Sequence, residues 1–195
     1  MSLFPLPESP SPSALPTILV LAAGRGERFI ASGGSTHKLA ALLAGKPVLQ
    51  HVLDAVRVSG LPRHVVHADV SRPGMGDSIA AGIRATLDAA GWLILPGDLP
   101  LVRSESLRAV AQALMQDHAV VIPTHNGVRG HPVGFSAACR DQLLTLKGNQ
   151  GAAPVVHAQN AMNSVAVLEL DDIGVVTDID TLDDLARAEK LLLAR

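Results

Sequence analysis

Short apolar runs alternate with stretches of helical spacing from residue 18 onward, and that alternation leaves few folds open. Residues 18–21 (Ile-Leu-Val-Leu), 92–95 (Trp-Leu-Ile-Leu) and 119–122 (Ala-Val-Val-Ile) are continuous apolar segments of strand length. Shorter strands are expected over 64–68, 133–135, 165–169 and 175–178. The spacing of Val48, Leu49, Val52, Leu53 and Val56 predicts a helix over 48–58, and Ile79, Ile83 and Leu87 share one face of a second over 78–89. Further helices are expected over 104–115, 140–146 and 181–193, with Ser78 and Ser104 as N-caps. Strands alternating with helices make an α/β domain with a largely parallel sheet. Such sheets bind ligands beyond the carboxyl ends of their strands. Chemical residues should therefore follow strands directly, and Gly24, Arg25, Asp98 and Asp180 do.

Composition narrows the function classes. At 195 residues the chain fits a single domain over 17–195, and 48% hydrophobic content supports a large core. A net charge of −2 gives no basic surface for nucleic acid, and 2% aromatic content gives no stacking platform for single strands. No run of about 18 apolar residues is present, so no membrane partner is expected. The lone Cys139 cannot form an internal disulfide; it reads as a packed thiol in a reducing, cytoplasmic setting. Residues 1–16, with five prolines and four serines, read as a disordered or extended arm.

The segment after the first strand carries the strongest chemical signal. Ala22-Ala23-Gly24-Arg25-Gly26 bends the chain, and Arg28 and Lys38 follow closely. Glycines there let backbone N–H groups approach an anion. The sixth position of a dinucleotide fingerprint is Phe29, and Lys38 precedes Leu39, so neither common nucleotide-binding pattern is met. The alternative is a plain turn with solvated arginines. Pro96-Gly97-Asp98-Leu99-Pro100 ends another strand with a braced carboxylate, suited to Mg²⁺ or to capping the next turn. Asp178-Ile179-Asp180-Thr181 offers a second carboxylate, or merely the N-cap of the last helix. Gly74-Met75-Gly76-Asp77-Ser78 could admit a flat ring or simply start a helix. Arg129-Gly130-His131-Pro132-Val133 could form a substrate wall or a turn into a strand. His64 and His67, three apart on a strand, should face opposite sides and not chelate.

Taken in order, these segments resemble the nucleotidyltransferases of molybdenum-cofactor metabolism, in particular the cytidylyltransferase branch. Leu21-Ala-Ala-Gly24 with Arg28-Phe29 and Lys38 looks like the opening signature, and Gly74-Met75-Gly76 with Ser78 like the base loop. Gly97-Asp98-Leu99-Pro100 looks like the metal aspartate motif, and Asp178-Ile-Asp180-Thr181 like the closing one. Ile30, Asp77 and the loop 148–153 depart from the usual pattern. The resemblance implies a three-layer, Rossmann-like fold with a mostly parallel sheet. It implies Mg²⁺ held by Asp98 and Asp180, with Arg28 and Lys38 on the triphosphate; Arg25 is expected to join them in offsetting charge on the departing pyrophosphate. Ala22, Ala23, Gly24, Gly26, Gly74 and Ser78 would bind the nucleotide, and Arg129 and His131 the acceptor. It implies CMP transfer from CTP to a small phosphorylated acceptor such as molybdopterin cofactor, with pyrophosphate released. Alanine at position 23 resembles the cytidylyl branch. A molybdoenzyme or its chaperone is the implied recipient. A sugar or polyol phosphate acceptor, or a homologue that only binds nucleotide or pterin, are the alternatives.

Overall fold

The computed structural model describes residues 15–69 and 74–194. Most of the N-terminal arm expected over 1–16 lies outside the described residues. Nine strands and seven α-helices are described, in the order β1 (Thr17–Ala22), α1 (Glu27–Ala31), β2 (Leu42–Leu43), β3 (Lys46–Pro47), α2 (Val48–Ser59), β4 (Arg63–His67), α3 (Met75–Arg84) and β5 (Gly91–Pro96). There follow α4 (Ser104–Leu114), β6 (Val120–His125), β7 (Val128–Arg129), β8 (Val133–Ser136), α5 (Arg140–Leu144), α6 (Ala153–Ala161), β9 (Val165–Glu169) and α7 (Leu182–Leu193).

Seven strands form one sheet. β1 lies between β4 and β5, parallel to both, and β6 runs parallel to β9. β8 is antiparallel between β5 and β6. Thr124 pairs with Glu169 of β9 on one edge of β6 and with Arg129 of β7 on the other, so β7 and β8 share an edge. They are two halves of one interrupted strand, and the interruption is Gly130-His131-Pro132.

The period-2 alternation of strands sorts the core onto two faces. Leu19, Leu21, Trp92, Ile94, Val120 and Ile122 pack with Ile79 and Ile83 of α3, Leu143 of α5 and Val155 of α6. Ile18, Val20, Leu93, Leu95 and Val121 pack with Val52 and Val56 of α2 and Val110 and Leu114 of α4. These two faces make the three-layer, mostly parallel architecture expected from the sequence. A third cluster joins Phe29 of α1, Leu43, Val48, Leu101, Ile179 and Ala188 of α7, and seats the C-terminal helix near the end of β1.

Several local expectations need correction. Residues 175–178 are not a strand: Ile173–Val176 is a turn of 3-10 helix. Buried Asp172 accepts from the Gly174 N–H at 2.9 Å, and a Cβ on Gly174 would lie 2.0 Å from the Leu101 carbonyl oxygen. The chain is thus pulled off the sheet and pressed onto the loop after β5. α3 begins at Met75 with Gly74 as N-cap, so Ser78 is inside the helix and donates back to the Gly74 carbonyl at 3.2 Å. α4 has Arg103 as N-cap, and the Ser104 hydroxyl donates to Glu105 instead. Cys139 is fully buried and its thiol donates to the Ala119 carbonyl; burial pushes its pKa up.

Candidate active site

The carboxyl ends of β1 and β5 open onto a cleft of about 790 Å³. Sheet pairing aligns the two ends: Leu21 is in register with Pro96, and the Gly97 N–H donates to the Leu21 carbonyl at 3.0 Å. The segment before α7 is tied to the same edge by the Ile179 N–H, which donates to the Asp98 carbonyl at 2.9 Å. Three loops far apart in sequence therefore meet through backbone hydrogen bonds.

Lys38 stands where they meet. Its Nζ donates to Asp98 Oδ2 at 2.6 Å and to Asp180 Oδ1 at 2.8 Å, with its side chain only 11% exposed. The exposed Arg28 pairs with the other oxygen of Asp180. Burial acts to lower the Lys38 pKa, but the Asp98 and Asp180 carboxylates outweigh it and hold the ammonium above its ordinary value. Asp98 Oδ1 is buried and has no hydrogen-bond partner. Asp180 is not the cap of α7. Thr181 fills that role in a capping box with Asp184, which leaves the Asp180 side chain free for the cleft.

The glycine bend sits over this ion cluster. Gly26 has φ +67° and starts α1, a conformation that needs glycine. Gly24, Arg25, Gly26 and Arg28 line the cleft, as does Ala23; Ala22, half-buried at the end of β1, does not. His37, which the sequence reading passed over, pins the bend. Its Nε2–H donates to the Gly24 carbonyl at 2.7 Å, and its Nδ1 accepts from the Leu39 N–H at 3.3 Å. A histidine immediately before Lys38 was the available signal.

On the opposite wall lie Gly74 and Ser78. A Cβ on Gly74 would lie 2.4 Å from the Gly148 carbonyl, and one on Gly76 2.8 Å from the Lys147 carbonyl oxygen. Only glycine permits α3 to begin so close to the 148–150 turn. Asp77 locks this contact by accepting the Gly148 N–H at 2.9 Å. The departures at 77 and 148 noted in the sequence are therefore partners. The turn brings Asn149, a second residue missed from sequence, to the cleft.

The break between β7 and β8 turns His131 toward the same cavity, with exposed Arg129 beside it. The His131 N–H donates to the Val175 carbonyl at 2.8 Å, and Nδ1 is buried without a partner. Burial lowers the His131 pKa despite the opposing pull of Asp98, so the ring is neutral near pH 7. His64 and His67 take no part in the cleft. No group of three or more His, Cys, Asp or Glu gathers around a common point among the described residues. No helix among them is long and apolar enough to cross a membrane.

Known proteins resemble this chain in sequence and fold. The bifunctional protein GlmU of Ralstonia nicotianae is 29% identical over 144 residues, which cover 64% of this chain and 30% of that protein. The chain thus spans about a third of the curated relatives it matches. The crystal structure of Rv0371c from Mycobacterium tuberculosis H37Rv superposes with TM-score 0.69 and 26% identity, covering 90% of this chain and 98% of that one. Rv0371c has also been solved in complex with manganese. A nucleotidyl transferase from Methanothermobacter, Mth528, superposes with TM-score 0.77 at 22% identity, covering 92% and 98%. The profile of the MobA-like NTP transferase domain matches residues 18–73 and 57–165, from β1 through the cleft-forming loops to β9. With that profile running along most of the sheet and the loops that follow β1 and β5, the chain belongs to the MobA-like NTP transferase family.

Proposed function

We propose that this domain transfers CMP from CTP to a phosphorylated acceptor of the molybdopterin class and releases pyrophosphate. One observation carries the reading: Asp98 and Asp180, from distant parts of the chain, reach a single cationic nitrogen at the ligand edge of the sheet. The donor set fits Mg²⁺, which takes one or two carboxylates and completes its shell with water and phosphate. Asp98 Oδ1, buried and without a protein partner, is a hard oxygen of the right kind. When bound by Asp98 and Asp180, Mg²⁺ would neutralise phosphate charge and align the reacting groups.

The rest of the chemistry falls to the chain itself. Transfer at phosphorus asks mainly for alignment and charge neutralisation. Arg25 and Arg28 at the cleft mouth, with Lys38, offset charge growing on the departing pyrophosphate. The bend at Gly24–Gly26 brings backbone close to the phosphates. Ala23, Gly74 and Ser78 receive the base, and alanine at 23 supports cytosine. Arg129 and neutral His131 receive the acceptor, whose ionised phosphate attacks the α-phosphorus without a general base. We assign the reaction to the cytoplasm, where CTP is made and the Cys139 thiol stays reduced, with a molybdoenzyme or its chaperone as recipient of the product.

A second reading changes the acceptor to a sugar or polyol phosphate. It is favoured by Asn149, the residue of the 148–150 turn that lines the cleft, whose uncharged amide suits hydroxyls. Pyrophosphate release, assayed with all four nucleotides against pterin, sugar and polyol phosphates, separates the two. CTP with a molybdopterin acceptor should be the fastest pair and should require a divalent cation. Nucleotide binding without pyrophosphate release in every combination would refute the transferase reading in favour of a binding-only homologue.

A further inference from the structure

Resting on the transferase reading, we infer that Lys38 is the resident cation of the Asp98–Asp180 pair, and that metal enters only as a triphosphate draws the lysine away. The geometry sets the two occupants in competition. The ammonium nitrogen lies 2.6 Å from Asp98 Oδ2 and 2.8 Å from Asp180 Oδ1. A Mg²⁺ ion bound to either of these oxygens at about 2.1 Å would sit within about 5 Å of the ammonium, so metal and lysine compete for the same carboxylates.

The local charge leads to the same conclusion. Asp98 and Asp180 carry two negative charges, and Lys38 and Arg28 carry two positive ones that already contact them. Asp178 and Glu27 also line the cleft, but Arg25 and Arg129 balance them, so a bare divalent cation meets no excess of negative charge. Nor does it meet a protein cage, because no third His, Cys, Asp or Glu joins the pair among the described residues. A nucleoside triphosphate changes both terms: it brings phosphate oxygens as ligands, and it offers Lys38 another anion.

The backbone around Lys38 is suited to an exchange made by the side chain alone. His37 holds one side of it to Gly24, and Leu39 N–H closes onto the same imidazole. Gly24, with no side chain of its own, lies beside the lysine stem: a Cβ there would sit 3.9 Å from Lys38 Cε. The ammonium can therefore turn from the carboxylates to the glycine bend while its Cα stays fixed. The lysine would hold both carboxylates in place before substrate arrives and make metal uptake conditional on nucleotide.

The test measures Mn²⁺ binding, not turnover. Free Mn²⁺ is counted by electron paramagnetic resonance in titrations of native protein, Lys38→Met and the double variant Lys38→Met/Asp98→Asn, all without nucleotide. Lys38→Met should bind Mn²⁺ more than about tenfold tighter than native protein, because removing a cation at contact distance relieves direct repulsion. The double variant should lose that gain. Equal Mn²⁺ affinity in Lys38→Met and native protein overturns the exchange. Native protein supplies an independent arm should the variant not fold. Water-proton relaxation enhancement by bound Mn²⁺ should be absent with native protein alone and present once CTP is added. If native protein alone binds Mn²⁺ as tightly as it does with CTP, the exchange is overturned. If native protein binds Mn²⁺ neither alone nor with any of the four nucleotides, the transferase reading fails; binding that ignores nucleotide overturns the exchange and leaves that reading standing.

Discussion

Replacing Asp98 with asparagine separates the chemistry of the cleft from the stability of the fold. The two side chains have nearly the same volume, and Asp98 is one of two carboxylates on Lys38, 16% exposed. At an effective dielectric near 20, two unit charges 2.6 Å apart attract by about 6 kcal/mol before desolvation is counted. Much of that is returned, because Lys38 keeps Asp180 and the asparagine carbonyl still accepts. The net loss of stability should be about 1–3 kcal/mol, a fall in Tm of about 2–12 °C for a domain of this size. Turnover should suffer far more. Loss of a preorganised charge from a dry site costs about 3–4 kcal/mol in the transition state, which is about 10²–10³ in kcat/KM. The assay is pyrophosphate release from CTP at 25 °C, with thermal unfolding measured on the same preparation. Asp54→Asn is the control. It breaks a Lys46–Asp54 pair 3.0 Å long on the half-exposed surface and should leave both Tm and turnover essentially unchanged. If Asp98→Asn retains turnover within about tenfold of native protein, Asp98 does not act in the transition state, and the assignment of the cleft is wrong.

Three further outcomes follow from the packing. Asp172→Asn should destabilise by about 3–5 kcal/mol, read as a Tm drop of about 6–20 °C: the carboxylate is 2% exposed and accepts from Arg103 N, Ser106 Oγ and Gly174 N, one of which an amide NH₂ would face. A loss under about 1 kcal/mol in urea titration would show that this hub does not hold the 171–180 segment down. His131 is held below its ordinary pKa by burial, so its contribution to stability is complete above the unfolded value of about 6.5 and is lost as pH falls through the lower folded value. His131→Gln should therefore flatten the acid limb of the stability profile, and an unchanged limb would disprove a buried neutral ring. Thr181→Ala removes the capping box of α7 and should cost about 1 kcal/mol, or about 2–4 °C in Tm; no shift on heating would place the stability of α7 elsewhere.

The layered fold was legible because its central strands are buried on both faces. Leu19 and Leu21 belong to one core cluster and Ile18 and Val20 to the other, so β1 has to be apolar throughout. Helices with a clear apolar stripe, such as α2 and α4, were equally visible. What escaped lacks such a stripe or is too short to hold one. α6 buries only Val155 and Gln159, and α1 is only five residues long. The supposed strand over 175–178 has the right composition, Val175-Val176, but its backbone is engaged elsewhere: Val175 gives its carbonyl to the His131 N–H, off the ladder. β-propensity reports apolar, branched side chains and cannot tell which neighbour will take the backbone.

The site was legible to a different degree, because loops after strands carry chemistry whatever their local conformation. Asp98 follows β5 as that rule asks, whereas no strand directly precedes Asp180, and Arg28 and Lys38 stood out only by their closeness to the glycine bend. The connectivity of the four could not be read. The sequence points Lys38 at a triphosphate, and nothing along the chain shows that its ammonium binds the two carboxylates. Charge is what hides this from sequence. Within one cleft, two acids and two bases can pair in more than one way, and the choice depends on which arrives with its backbone fixed. Here Asp98 and Asp180 are fixed, joined through the Ile179 N–H on the Asp98 carbonyl, and the 171–180 segment is clamped by Asp172. Arg28, at 79% exposure, stays in solvent and reaches only the outer oxygen of Asp180. Lys38, anchored by His37, is the cation whose long stem can be buried while its head meets both acids. A side chain placed so by a neighbour's imidazole and two distant carboxylates has no signature along the chain, and the packing of three loops is the level at which its role is written.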